Sequence, residues 1–245
     1  MGVPTLGCSC AVCRSEDPRD RRTRPSILLQ YGGRNVVNVV IDTSPDFRQQ
    51  MLQAKVEQVD AVVYTHCHAD HILGLDDLRA YNLRQGQIPL YVSPETREGI
   101  QKTFHYVFGK ATPNSTIPRL ALHNIEDRFD VFGMEFIPLP VKHGEMDVLG
   151  FHFGRAAYVT DFSEIPAESF EQLRGLDLLI LSALRDHPHP NHSTLENSVA
   201  LVRELAPRRA CFTHMAHDLP HAATNEHLPA GIELAYDGLT VEVEG

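Results

Sequence analysis

Residues 60–71, DAVVYTHCHADH, place His66, His68, Asp70 and His71 within six consecutive positions. Imidazole nitrogens combined with a carboxylate suit zinc, manganese or iron rather than calcium or magnesium. The β-branched and aromatic run Val62, Val63, Tyr64 favours a pleated conformation, so the ligands follow the carboxyl end of a strand. His66 and His68, two apart, can face the same side, while Asp70 and His71 swing round as the chain turns. Two neighbouring metal sites are easier to build this way than one. A His-rich surface loop would share the composition but not the placement directly after an apolar strand.

The same grammar recurs downstream. His143 follows an apolar run in PLPVKHGE, Asp161 follows another in AAYVTDF, and His214 follows a third in ACFTHMAHD. Any one of these reads equally well as a satisfied histidine or a turn-capping aspartate. Taken with residues 66–71 they supply the ligands that two adjacent metals need when they share one carboxylate. Ligands at strand ends far apart in sequence are how a rigid scaffold converges on a metal pair.

The elements that must hold these residues are short. Apolar runs at Ser26–Tyr31, Val36–Ile41, Ala61–Tyr64, Ile88–Val92, Val131–Pro138, Leu149–Phe153, Ala156–Thr160, Leu178–Ser182, Ala210–Thr213 and Thr240–Val243 are bounded by Gly, Pro or Asp and predict strands. Pro45–Lys55, Pro94–His105 and Ser193–Leu205 predict helices, with Ser193 as the cap of the last. Lys110–Pro118, rich in Thr, Pro and Asn, predicts a loop or lid. Strand meanders mixed with helices predict an α/β chain of two sheets with helices packed outside, as one domain over residues 1–245.

Composition narrows the function. The chain of 245 residues is 42% hydrophobic and carries a formal net charge of −10, which disfavours a broad nucleic-acid surface. No apolar stretch reaches the roughly 18 residues a membrane span requires, and the amino terminus lacks the plan of a signal peptide, so a cytoplasmic location is expected. Five cysteines, an odd number, disfavour a disulfide framework. Cys67 and Cys211 read as buried small apolar groups. Cys8, Cys10 and Cys13 form a cluster that, in a reducing compartment, is more often a metal site than a disulfide remnant.

With HxHxDH followed by distant His, Asp and His, the sequence resembles the metallo-β-lactamase-fold hydrolases. The resemblance implies an αββα sandwich of two mixed sheets flanked by helices. It implies that His66, His68 and His143 hold one metal, that Asp70, His71 and His214 hold a second, and that Asp161 bridges them; the ions would be two Zn²⁺ or Mn²⁺. The opening GVPTLGCSCAVCRSEDPRDRRTRPS is similar to that of the PhnP-like branch of phosphoribosyl 1,2-cyclic phosphate phosphodiesterases. In that branch the Cys cluster binds a structural zinc with a His three residues after the last catalytic His. Here the set would be Cys8, Cys10, Cys13 and His217, within a zinc segment spanning residues 1–25. Three thiolates and one imidazole make a closed tetrahedral site with no position for water. Members of the branch usually open with a strand and a Gly-Thr-Gly-type turn before the GVP, whereas Met1 here directly precedes Gly2.

The expected reaction is hydrolysis of a small cyclic phosphodiester. Paired metals lower the pKa of a bridging water so that hydroxide attacks phosphorus in line, and they neutralise charge on the non-bridging oxygens. Asp70 would help to orient the nucleophile. His192, in RDHPHPNHST, matches an additional active-site histidine of the PhnP-like branch and is the candidate general acid or phosphate contact, with His187 and His189 as competitors. Asp76 and Asp77 are candidate partners of the ligand histidines, although charge at a helix start is the plainer account. Arg19, Arg21, Arg22 and Arg24 read as a solvated loop pairing with acidic neighbours. The competing functions are ribonuclease Z-like RNA processing, a metal-dependent oxidoreductase and a protein of pyrroloquinoline quinone biosynthesis. A homodimer is the family-level expectation, and no membrane partner is expected.

Overall fold

Parallel strands covered on both faces need unbroken apolar runs, and Val37–Ile41 and Ala61–Val63 supply them: residues 39–41 and 61–63 are all fully buried. The computed structural model describes residues 2–109 and 116–243. Its backbone contacts separate the chain into two units, residues 24–132 and residues 1–23 with 133–245.

In the first unit, β1 (Ile27–Tyr31) and β2 (Val37–Ile41) form an antiparallel pair. β3 (Ala61–Val63), β4 (Ile88–Val92) and β5 (Leu120–Asn124) then add in parallel, giving the order β1-β2-β3-β4-β5. The helices are α1 (Phe47–Gln53), α2 (Ala69–Ile72), α3 (Pro94–Thr103) and α4 (His105–Phe108), with a 3-10 helix at Leu75–Leu83. Ser93 caps α3 by accepting the Thr96 N–H at 3.1 Å, and Pro94 sits in the first turn, where its missing N–H costs nothing. Val40, Phe47, Val62, Tyr64, Ile72, Leu75 and Leu90 are among the side chains that form this unit's core. β6 (Phe129–Val131) closes the unit.

The second unit holds β7 (Met134–His143), β8 (Met146–Phe153), β9 (Ala156–Val159), α5 (Ala167–Glu171), β10 (Leu178–Ser182), α6 (Leu195–Leu205), β11 (Arg209–Thr213), α7 (His221–Asn225) and β12 (Ile232–Leu234). β7 and β8 are antiparallel, β8 and β9 antiparallel, and β9 through β12 run parallel. Two reversals return β7 to the direction of β9. The carboxyl ends of β7, β9, β10 and β11 therefore share one sheet edge. Leu139, Val159, Leu179, Leu181, Val202 and Phe212 belong to its core.

Three expectations change. The cap of α6 is Thr194, which accepts the Asn197 N–H at 3.2 Å, whereas Ser193 faces inward and its Oγ lies 2.8 Å from that of Ser198. Thr240–Val243, alternating as a strand would, is not in one. Residues Val131–Pro138 are broken by a turn at Phe132–Gly133, where both φ angles are positive. Within Lys110–Pro118, residues 110–115 lie outside the described residues.

Candidate metal centres

In the first unit β3 ends at Val63, and the chain then carries Thr65 and His66 inward before α2 begins after His68. His66 Nε2 lies 3.0 Å from His68 Nδ1, so two ring nitrogens converge, and the His66 and His71 rings lie 4.2 Å apart. His71 is fully buried within α2, and the adjacent Asp70 is half-buried. The feature missed in the sequence is Asp42, which follows β2 as His66 follows β3. Its carboxylate accepts the Thr65 N–H at 2.9 Å and the Thr65 hydroxyl at 2.8 Å, and it pairs with His71 Nδ1 at 2.7 Å. A carboxylate on Nδ1 fixes the tautomer in which Nε2 is the atom that could bind a metal. NVVIDTSP carries the same strand-then-acid signal as AAYVTDF, so Asp42 was visible by the rule already in use. Asp76 has other partners: it accepts the Tyr106 hydroxyl at 2.6 Å and pairs with Arg79.

In the second unit the shared edge collects the remaining candidates. His143 ends β7 and its Nδ1 donates to the Asn191 carbonyl at 2.8 Å, again leaving Nε2 for a ligand. Gly144, at φ +61, permits that approach, because a Cβ there would stand 2.5 Å from Asn191 Oδ1. Asp161 Oδ1 lies 3.1 Å from His214 Nε2 and accepts the Thr160 hydroxyl at 2.9 Å. Asp42, Asp161 and His214 all have positive φ, at 64°, 50° and 54°. Such backbone costs energy in a non-glycine residue and persists where the surroundings impose it, often at functional sites.

His192 lies between two ligand candidates, its ring 4.6 Å from His143 and stacked 5.1 Å from His214. Asp161, His192 and His214 each bring one donor atom within 4.8 Å of the others. The Nδ1 of His192 is buried with no hydrogen-bond partner among the described residues. Burial, partly offset by the Asp161 carboxylate, pushes this imidazole down to about 3, so it is neutral near pH 7. His189 lies 4.8 Å ring to ring from His192, while His187 pairs with the exposed Asp186.

The amino-terminal cluster is also built. His217 Nδ1 lies 3.2 Å from Cys8 Sγ and 3.4 Å from the sulfurs of both Cys10 and Cys13. A tetrahedral zinc with bonds of about 2.3 Å to sulfur and 2.0 Å to nitrogen puts its S···N edges at about 3.5 Å. The geometry and the donor chemistry fit that ion. The Cys10 thiol is held down to about 6, chiefly by the Cys13 backbone N–H, which favours the ligating thiolate. Cys67 is half-buried against Gly99 of α3, and Cys211 is buried with its thiol pushed up to about 12 by desolvation. Of the arginine run, Arg19 and Arg24 pair at the surface with Asp17 and Asp46, but Arg22 is buried.

Residues 37–215 match the β-lactamase superfamily domain. The crystal structure of a diphosphatase from the PhnP family is 50% identical over 100% of this chain and 94% of that one, with a TM-score of 0.92. Zn²⁺-bound PqqB from Methylobacterium extorquens shares the fold at 20% identity and a TM-score of 0.75, over 99% of this chain and 96% of that one. An octanoyltransferase of Porphyromonas gingivalis is 38% identical over 99% of this chain but only 49% of its own length. The chain thus spans about half of that curated relative, whose name describes a protein twice as long. The two mixed sheets and their helices are those of the metallo-β-lactamase fold. The chain belongs to the β-lactamase superfamily, in its PhnP-like branch.

Proposed function

We propose that the chain hydrolyses the phosphodiester of a small cyclic phosphate, of the phosphoribosyl 1,2-cyclic phosphate type. The observation that carries this reading is the 50% identity, across essentially the whole chain, to a PhnP-family enzyme of phosphate chemistry. His66, His68, Asp70, His71, His143, Asp161 and His214 hold two divalent ions, zinc or manganese. Bound there, the ions would lower the pKa of water at the site and offset phosphate charge. Asp42 and the Asn191 carbonyl lock His71 and His143 with their ligand nitrogens outward. Asp70 orients the nucleophile. His192, neutral through burial, donates a hydrogen bond to the phosphate, a role its depressed basicity suits better than that of a protonated acid. Cys8, Cys10, Cys13 and His217 hold a third, structural zinc.

A second reading follows from the same neighbour, described as a diphosphatase: the scissile bond is a phosphoanhydride. A panel of ribosyl 1,2-cyclic phosphate, 2′,3′-cyclic nucleotides, a diphosphate ester and precursor transfer RNA, with manganese or zinc added, separates the readings. The cyclic ester should exceed the others in kcat/KM by about tenfold or more. Preference for the diphosphate supports the second reading, and preference for RNA overturns both.

A further inference from the structure

Arg22 is 6% exposed, although the sequence around it reads as a solvated arginine run. Its guanidinium donates to the Ala216 carbonyl at 3.2 Å, to Asp20 Oδ1 at 3.1 Å and to the Leu219 carbonyl. Asp20, 5% exposed, in turn accepts the His221 backbone N–H at 2.7 Å. Arg22 is itself anchored, because its backbone N–H and carbonyl both pair with Val3 at 2.8 Å. Positions 216, 219 and 221 are therefore tied to two buried side chains of the amino-terminal segment, and position 217 to its cysteines. This stretch begins two residues after His214, whose left-handed backbone must be imposed from outside.

We propose that Arg22 and Asp20 are positioning residues: they hold the 214–221 stretch so that the His214 imidazole stays against Asp161 and His192. The inference rests on the reading of His214 as a metal ligand. A buried ion pair is weak support for stability alone, since apolar residues of similar volume often serve as well. What a guanidinium adds is a rigid planar fork that reaches the Arg19, Ala216 and Leu219 carbonyls and the Asp20 carboxylate at once, which the point charge of a lysine cannot match.

The test is cobalt(II) titration of the metal-free full chain, followed by absorption. Thiolate-bound cobalt shows an intense ligand-to-metal charge-transfer band, whereas cobalt on imidazole and carboxylate gives only weak visible bands. In Arg22→Met the weak bands should need about tenfold more cobalt to saturate, while the thiolate band fills as in the wild type. Arg22→Lys, which keeps the buried charge but loses the fork, should shift the same way by a smaller factor and serves if Arg22→Met does not fold. Arg19→Met, which removes only a surface pairing with Asp17, should titrate as the wild type. Unchanged saturation in the Arg22 variants, or equal weakening of both band sets, overturns the proposal. A wild-type protein showing the thiolate band alone overturns the ligand reading beneath it, without reference to any substrate.

Discussion

At the scale of single residues, the chemistry depends on imidazoles whose far nitrogen is fixed. Asp42 is the clearest case, since one buried carboxylate serves the Thr65 amide, the Thr65 hydroxyl and His71. Loss of such an outer partner typically costs about 10- to 100-fold in metal affinity or activity. Asp42→Ala should therefore weaken zinc or manganese binding by that factor in calorimetric titration while leaving the Cys cluster loaded. Wild-type affinity would show that His71 is oriented by other means. The candidate ligands stand out in the sequence because HxHxDH is a local pattern, and because His143, Asp161 and His214 repeat one strand-end rule. Asp42 obeys that rule too, although it lies outside the motif. The burial of Arg22 was not legible at all: two of its acceptors are backbone carbonyls almost two hundred residues away, and carbonyls carry no sequence signal.

At the scale of elements, the ligands are positioned by close packing around the turn after His71. Gly74 approaches the start of α1 so tightly that a Cβ would stand 2.2 Å from the Ser44 carbonyl oxygen and 2.5 Å from Phe47 Cβ. Neither neighbour can yield cheaply, one being backbone and the other fully buried. Gly74→Ala should destabilise the fold by about 1–3 kcal/mol, the usual cost of overpacking, read as a lower midpoint in urea. An unchanged midpoint would mean the backbone relaxes there freely. Strands with buried partners on both sides were readable from composition, as Ile88–Val92 and Leu178–Ser182 show. Leu120–Asn124 and Ile232–Leu234 were not, because a short strand is defined by its neighbour's hydrogen bonds as much as by its own residues. Thr240–Val243 illustrates the converse: alternation without a pairing strand makes no strand.

At the scale of the whole molecule, the proposed function gives the paired metals and the structural zinc separate jobs. Cys10→Ser removes one thiolate from the proposed zinc site, a closed kind of site whose binding energy is also folding energy. It should release one zinc per chain and lower the melting temperature, while the folded fraction keeps its rate; an unchanged zinc count would remove the structural site from the account. No helix among the described residues is long and apolar enough to cross a membrane. The most direct test of the central claim is phosphorus NMR of ribosyl 1,2-cyclic phosphate incubated with the manganese- or zinc-loaded chain and with its Asp161→Ala variant. The account predicts conversion to a monoester by the wild type and none by the variant, whose paired metals are depleted. No turnover by the wild type, or equal turnover by both, would contradict it.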